Sequence, residues 1–101
     1  MTVLALASRQ HSVVLDVSGA DDVGNMVVDS LTLAWSWRPN TGWWLWKAEL
    51  HGAMTKKDGT VGQRRGATRM NEPRLSGPVE WKPDTPDWLK HAADQHAPKE
   101  A

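Results

Sequence analysis

Apolar and polar residues alternate at Leu31, Leu33, Trp35 and Trp37, the chain breaks at Arg38-Pro39-Asn40-Thr41-Gly42, and a second apolar run follows from Trp43 to Leu50. Period-two alternation on either side of a break containing Pro and Gly predicts a β-hairpin. With the reversal at residues 39–42, Trp37 pairs with Trp44, Trp35 with Trp46, Leu33 with Ala48 and Leu31 with Leu50, which gathers these side chains on one face. The other face pairs Ser36 with Leu45, Ala34 with Lys47 and Thr32 with Glu49, the mixed polar surface of a half-buried antiparallel sheet.

Further strands flank this hairpin. Val13, Leu15 and Val17 alternate before the turn-rich stretch 18–25, and Met26 and Val28 open another apolar alternation. Its parity changes between Val28 and Leu31, which predicts a β-bulge near Asp29 and Ser30. Lys57-Asp58-Gly59-Thr60 predicts a second tight reversal, because Asp-Gly tolerates positive φ. Residues 48–56 and 60–69 flank it, and its glycine-rich, weakly apolar tip is expected to project beyond the core. Residues 1–8 are expected to add an edge strand.

After Pro73 a Pro-rich connector leads to Thr85-Pro86-Asp87, read as N-cap, first helical residue and dipole-complementing acid of a helix that Pro98 stops. Trp88, Leu89 and Ala92 form its narrow apolar stripe. The expected architecture is α+β: an antiparallel β-meander of about four to five strands covered by one C-terminal helix. It forms a single domain, with the sheet over about 2–70, the connector over 71–85 and the helix over about 86–97.

The chain is 101 residues long, with 40% hydrophobic and 24% charged residues, the range of one folded globular domain. It has seven Trp and no Phe or Tyr, so the tryptophans must supply much of the core. Each buries about 150–250 Å² when packed, worth about 4–6 kcal/mol gross. The absence of cysteine removes disulfides, thiolate metal sites and thiol nucleophiles. No run reaches the roughly 18 apolar residues of a membrane span, and the first residues lack a secretory pattern, so a cytoplasmic location without membrane contact is expected.

Catalytic chemistry is poorly represented. His91 and His96 stand five apart, about 140° around a helix, which keeps them from converging on one metal. His51 shares the polar side of its strand with Lys47 and Glu49, an acid/base arrangement only if a pocket forms above it. Asp16, Asp21 and Asp22 lack calcium-loop spacing, and no phosphate-cradling glycine motif or nucleophile elbow is present. The chain is therefore expected to be no enzyme and to use no cofactor or metal.

The neutral total charge conceals a basic middle: residues 56–74 carry six basic and two acidic side chains, while both flanks are net acidic. Lys56, Lys57, Arg64, Arg65, Arg69 and Arg74 surround or follow the projecting hairpin, a ribbon slim enough to follow a phosphate backbone. Nucleic acid is the expected partner there. A second surface is expected at Arg38, Trp43, Leu45 and Lys47, where Trp43 falls on the polar side against Arg38 and offers an aromatic anchor for a protein.

The runs Trp35-Ser36-Trp37-Arg38, Gly42-Trp43-Trp44-Leu45-Trp46, Lys57-Asp58-Gly59 and Pro86-Asp87-Trp88-Leu89 to Pro98 resemble those of small tryptophan-rich proteins of actinobacterial phages and related mobile elements. The resemblance covers about two thirds of the chain. It implies a small accessory protein in the host cytoplasm that binds or inhibits rather than catalyses. Two functions follow as expectations: a nucleic-acid-binding module acting through the basic β-hairpin, or a factor that docks on a host protein through a sheet edge or the Trp43 face. An open meander with unpaired edges also makes a homodimer an expected state.

Overall fold

In the computed structural model, residues 9–75 and 77–99 are described. They form β1 (Arg9–Asp16), β2 (Met26–Arg38), β3 (Gly42–Thr55), β4 (Val61–Arg69) and α1 (Asp87–His96). The four strands make one antiparallel sheet in the order β1-β2-β3-β4. This is the meander and single helix that the patterning predicts, with a helix of ten residues. The expected strand at residues 1–8 lies outside the described residues.

Both hairpin turns follow from local chemistry. Thr41 N–H donates to the Arg38 carbonyl and Gly59 N–H to the Lys56 carbonyl. Gly42 (φ 72°) and Gly59 (φ 87°) adopt the left-handed conformation that returns each chain into its strand. The β3–β4 turn reaches only a few residues past the sheet, because Thr55 N–H already donates to the Asn25 carbonyl at 2.7 Å.

Two bulges decide which side chains face inward. Val28 pairs with Gly52 and Ser30 with His51, leaving Asp29 as the extra residue, so Met26 and Val28 share a face with Leu31, Leu33 and Trp35. This is the bulge that the parity change predicts. The second is a correction. Residues Ser30–Ala34 keep the expected register against Lys47–His51, but Trp35 pairs with Leu45, Ser36 with Trp44 and Trp37 with Trp43. Trp46 is the extra residue, and the expected pairs Trp35–Trp46 and Trp37–Trp44 do not form.

The core lies on one side of the sheet. Met26, Val28, Leu31, Leu33, Trp35, Leu45, Ala48 and Leu50 are buried there with Met70 and with Leu89 and Ala93 of α1. Leu89 and Ala93, four apart, are the helix's buried seam, with Trp88 and Ala92 beside it. Of the seven tryptophans, Trp35 and Trp44 are buried and the other five half-buried.

The helix start differs from the sequence reading. Pro86 is the N-cap and has no side-chain cap bond. Thr85 is buried, and its hydroxyl is engaged with the Met70 and Lys82 carbonyls at 3.1 and 2.7 Å. Its hydrogen-bonding capacity is spent tying the connector to the end of β4.

The connector doubles back beside β3. Glu72 N–H donates to the Glu80 carbonyl, Lys82 N–H to the Met70 carbonyl and Met70 N–H to the Ala48 carbonyl, each at 2.8 Å. Asn71, 1% exposed, faces Trp81 across an isolated bridge.

Candidate functional site

The six cations of the basic middle do not form one surface. Lys56 and Lys57 are exposed in the β3–β4 turn, and Arg64 is exposed on β4. Among the described residues, none of these three makes an ion pair. Between them Asp58 turns inward on its own loop: its carboxylate accepts the Thr60 hydroxyl at 2.7 Å and the Thr60 N–H at 3.0 Å. Those bonds hold the Asp58 carboxyl below its ordinary pKa.

Arg65 points to the opposite side of β4 from Arg64 and makes a bidentate pair with Asp29, at 2.6 and 2.9 Å. Its guanidinium bonds lower the Asp29 pKa, and Asp29 in turn raises that of Arg65. The predicted bulge thus delivers a carboxylate to the cation two strands away. Arg69 is turned inward: its guanidinium donates to the Trp46 carbonyl at the second bulge, and its Nε donates to Asn71 Oδ1 at 3.2 Å. Arg74 sits in the connector, 3.5 Å from Glu80. Three of the six therefore spend their charge or donors within the molecule.

The second predicted surface also separates. Because of the Trp46 bulge, Leu45 is buried in the core at 4% exposure, and Trp43 pairs with Trp37, not Arg38. Arg38 is exposed at the end of β2, opposite Gly42. Lys47 lies on the other face, 3.8 Å from Glu49. The cation over Trp43 is Arg9, 5.3 Å from the ring centroid and 5.7 Å from that of Trp37. His11 lies beside Trp35 and Trp43 at 5.6 and 6.4 Å.

Sequence patterning missed a sizeable concavity. A cleft of about 790 Å³ runs between β4, the turn at Val23–Met26 and the connector at Lys82–Pro86. Met26, Met54 and Met70 contribute to its lining, with Arg64, Lys82 and Asp84 among its charged residues. Gly66 makes room for the Met54 side chain on the β4 side, since a Cβ there would stand 2.3 Å from Met54 Sδ. The methionines come from three separate segments, so no local spacing announces them. Met26 and Met70 are buried in the core, so half-buried Met54 is the flexible thioether most open to a ligand.

Acid/base chemistry finds little support in the geometry. His51 Nε2 lies 3.0 Å from Glu49 Oε1, but neither this pair nor Lys47 lines the cleft or the smaller crevice near α1. Among the described residues, no three His, Asp or Glu side chains are grouped to hold a metal ion. No helix among them is long and apolar enough to cross a membrane. No family model, curated protein or solved structure matches the chain.

Proposed function

We propose that this chain is a non-catalytic binding module that contacts the phosphates of nucleic acid with the β3–β4 end of its sheet. One observation carries the reading: Lys56, Lys57 and Arg64 are exposed in the turn and the turn-proximal half of one hairpin and have no ion-pair partner among the described residues. Asp58, the nearest carboxylate in sequence, is occupied by Thr60. Arg65, paired with Asp29, leaves the contact set together with Arg69 and Arg74. No tryptophan stands on this hairpin beyond Trp46, so base stacking contributes nothing and binding is electrostatic and independent of sequence. The accessory role implied by the resemblance to phage proteins agrees with such a module.

The test is anisotropy of a labelled 20-base-pair duplex at low salt, with wild type and the variant K56E/K57E/R64E. Saturable binding that the triple reversal abolishes is the expected result. Equal affinity for both proteins, or no binding in low salt, discards the reading.

A second reading, docking on a protein through a sheet edge, is favoured by the methionine-lined cleft beside β4. β4 is an edge of the described sheet with Arg64 exposed on it, so an extended segment that brings a carboxylate to Arg64 is the matching ligand. Capture of an acidic peptide by a chain that ignores duplex would select this reading over the first.

A further inference from the structure

β1 is one edge of the described sheet and β4 the other, and the two are built differently. β4 carries Arg64, Arg65 and Arg69 and breaks register against β3 between Ala53 and Thr55, so pairing with a second β4 would gather like charges on an irregular strand. β1 keeps one unbroken register with β2, from Arg9 with Trp37 to Asp16 with Ser30. Between Arg9 and Asp16 it has no proline, glycine, lysine or carboxylate to deter a further strand. The phase of its ladder is also fixed. Val17 N–H donates to the Asp29 carbonyl at 3.0 Å, in step with the Asp16–Ser30 pair. Antiparallel bonds come from alternate residues, so Val13 and Leu15 turn their backbone groups to β2, while Gln10, Ser12, Val14 and Asp16 turn theirs outward. All four of those residues are exposed, Val14 at 72%.

We propose that β1 pairs antiparallel with β1 of a second copy of this chain, across a two-fold axis at Val13. Such an axis keeps each face of the sheet on its own side, so residues of like parity must meet. Centring on Val13 sets Ser12 of each copy against Val14 of the other and Gln10 against Asp16, which engages every outward-turned residue in about eight backbone hydrogen bonds. Centring on Ser12 would set Asp16 beyond the end of β1. Side chains agree with the Val13 register on both faces. On the core face Val13 meets Val13 and Leu15 meets His11, which covers two apolar residues left half-buried at the rim of one chain. On the other face Val14 meets Ser12 and lies diagonal to Val14 of the other copy, and the Gln10 amide faces the Asp16 carboxylate. No like charges meet, and a formal net charge of zero adds no repulsion between copies. The inference is independent of the basic hairpin, because β2 stands between β1 and β3.

Two edge strands bury less than about 1,200 Å² in total, the range of weak association, so the full chain is followed by sedimentation velocity from about 5 to 500 µM. The mass should rise from one chain to two and stop there. Amide hydrogen exchange at the two ends of that range should show about 10-fold more protection of Ser12 and Val14 at high concentration, with far less change at Val13, already bonded to β2. Val14→Lys places two cations diagonally across the axis, and Ser12→Pro removes an outward N–H without breaking a bond to β2. Each should raise the dimerisation midpoint about 10-fold or more. The proposal is overturned by a single-chain mass throughout, by association that either variant leaves unchanged, by growth beyond two chains, or by protection at Arg65 and Ala67 of β4 in place of Ser12 and Val14. Protection of Ser12 and Val14 that ignores concentration would mean that the chain covers this edge itself, and overturns it too.

Discussion

The Asn71 side-chain oxygen accepts the backbone N–H of Ala48 at 2.8 Å, standing where the strand ladder needs a carbonyl after the last β3–β4 pair, Glu49 with Arg69. The same oxygen receives Arg69 Nε, whose guanidinium reaches the Trp46 carbonyl. One amide therefore finishes the edge of β3 and positions the arginine that satisfies its bulge. Asn71→Ala leaves the Ala48 N–H buried without a partner and should destabilise the fold by about 1–3 kcal/mol. Urea denaturation followed by tryptophan fluorescence measures this, and an unchanged midpoint would show the bond to be dispensable.

The Asp29–Arg65 pair predicts a pH dependence. Its folded carboxyl is held below the ordinary value, first by the guanidinium hydrogen bonds, so the folded state binds fewer protons there than the unfolded chain. Its contribution is full above the unfolded carboxylate pKa, about 3.9, and is lost as pH falls through the lower folded value. Asp16, lowered by its bonds to Ser18, and Asp58, lowered by Thr60, act in the same direction. Stability should therefore drop below about pH 4, and Asp29→Asn should make that drop shallower. Urea midpoints from pH 7 to pH 2.5 test it; parallel curves for the two proteins would assign the acid transition elsewhere.

Helix docking rests on a single fully buried side chain. Leu89 is 0% exposed, and Leu89→Ala removes the fully buried side chain that α1 gives to the core, at about 2–5 kcal/mol. Exposed His96→Ala on the same helix should change stability by no more than about 0.5 kcal/mol. Thermal unfolding of the two variants separates a docked helix from an idle one, since equal melting temperatures would deny α1 a part in the core.

Salt dependence measures how many phosphates the basic end neutralises. Three unpaired cations predict a log–log slope against salt of about −2.7 on duplex DNA. A slope near −5 would mean that all six cations of the basic middle reach the duplex. Such a value would require Arg65 to leave Asp29, Arg69 to leave Trp46 and Arg74 to leave Glu80.

The β2–β3 and β3–β4 reversals were legible because Pro39, Gly42, Asp58 and Gly59 impose backbone restraints that need no partner. The first bulge was legible because Met26 and Val28 have one parity and Leu31 and Leu33 the other. At the second, residues 43–46 are apolar throughout, so moving one position costs no burial and alternation carries no register. That single slip moved Trp43 and Leu45 from an expected outer surface to the core side. The basic hairpin could be read as a cluster of charge, but not the partners of that charge: Asp29, Glu80 and the Trp46 carbonyl are brought near by strand pairing and by the folded-back connector.

Residue order alone set the strand sequence, the two turns, the helix and the concentration of positive charge in residues 56–74, because each depends on steric or periodic preferences that act within a few residues. Which cations remain available, which tryptophans face the core, and the two concavities flanked by the connector were decided only when distant segments packed. Those outcomes depend on competition among non-local hydrogen bonds, ion pairs and side-chain volumes, and neighbouring positions in the chain hold no record of it.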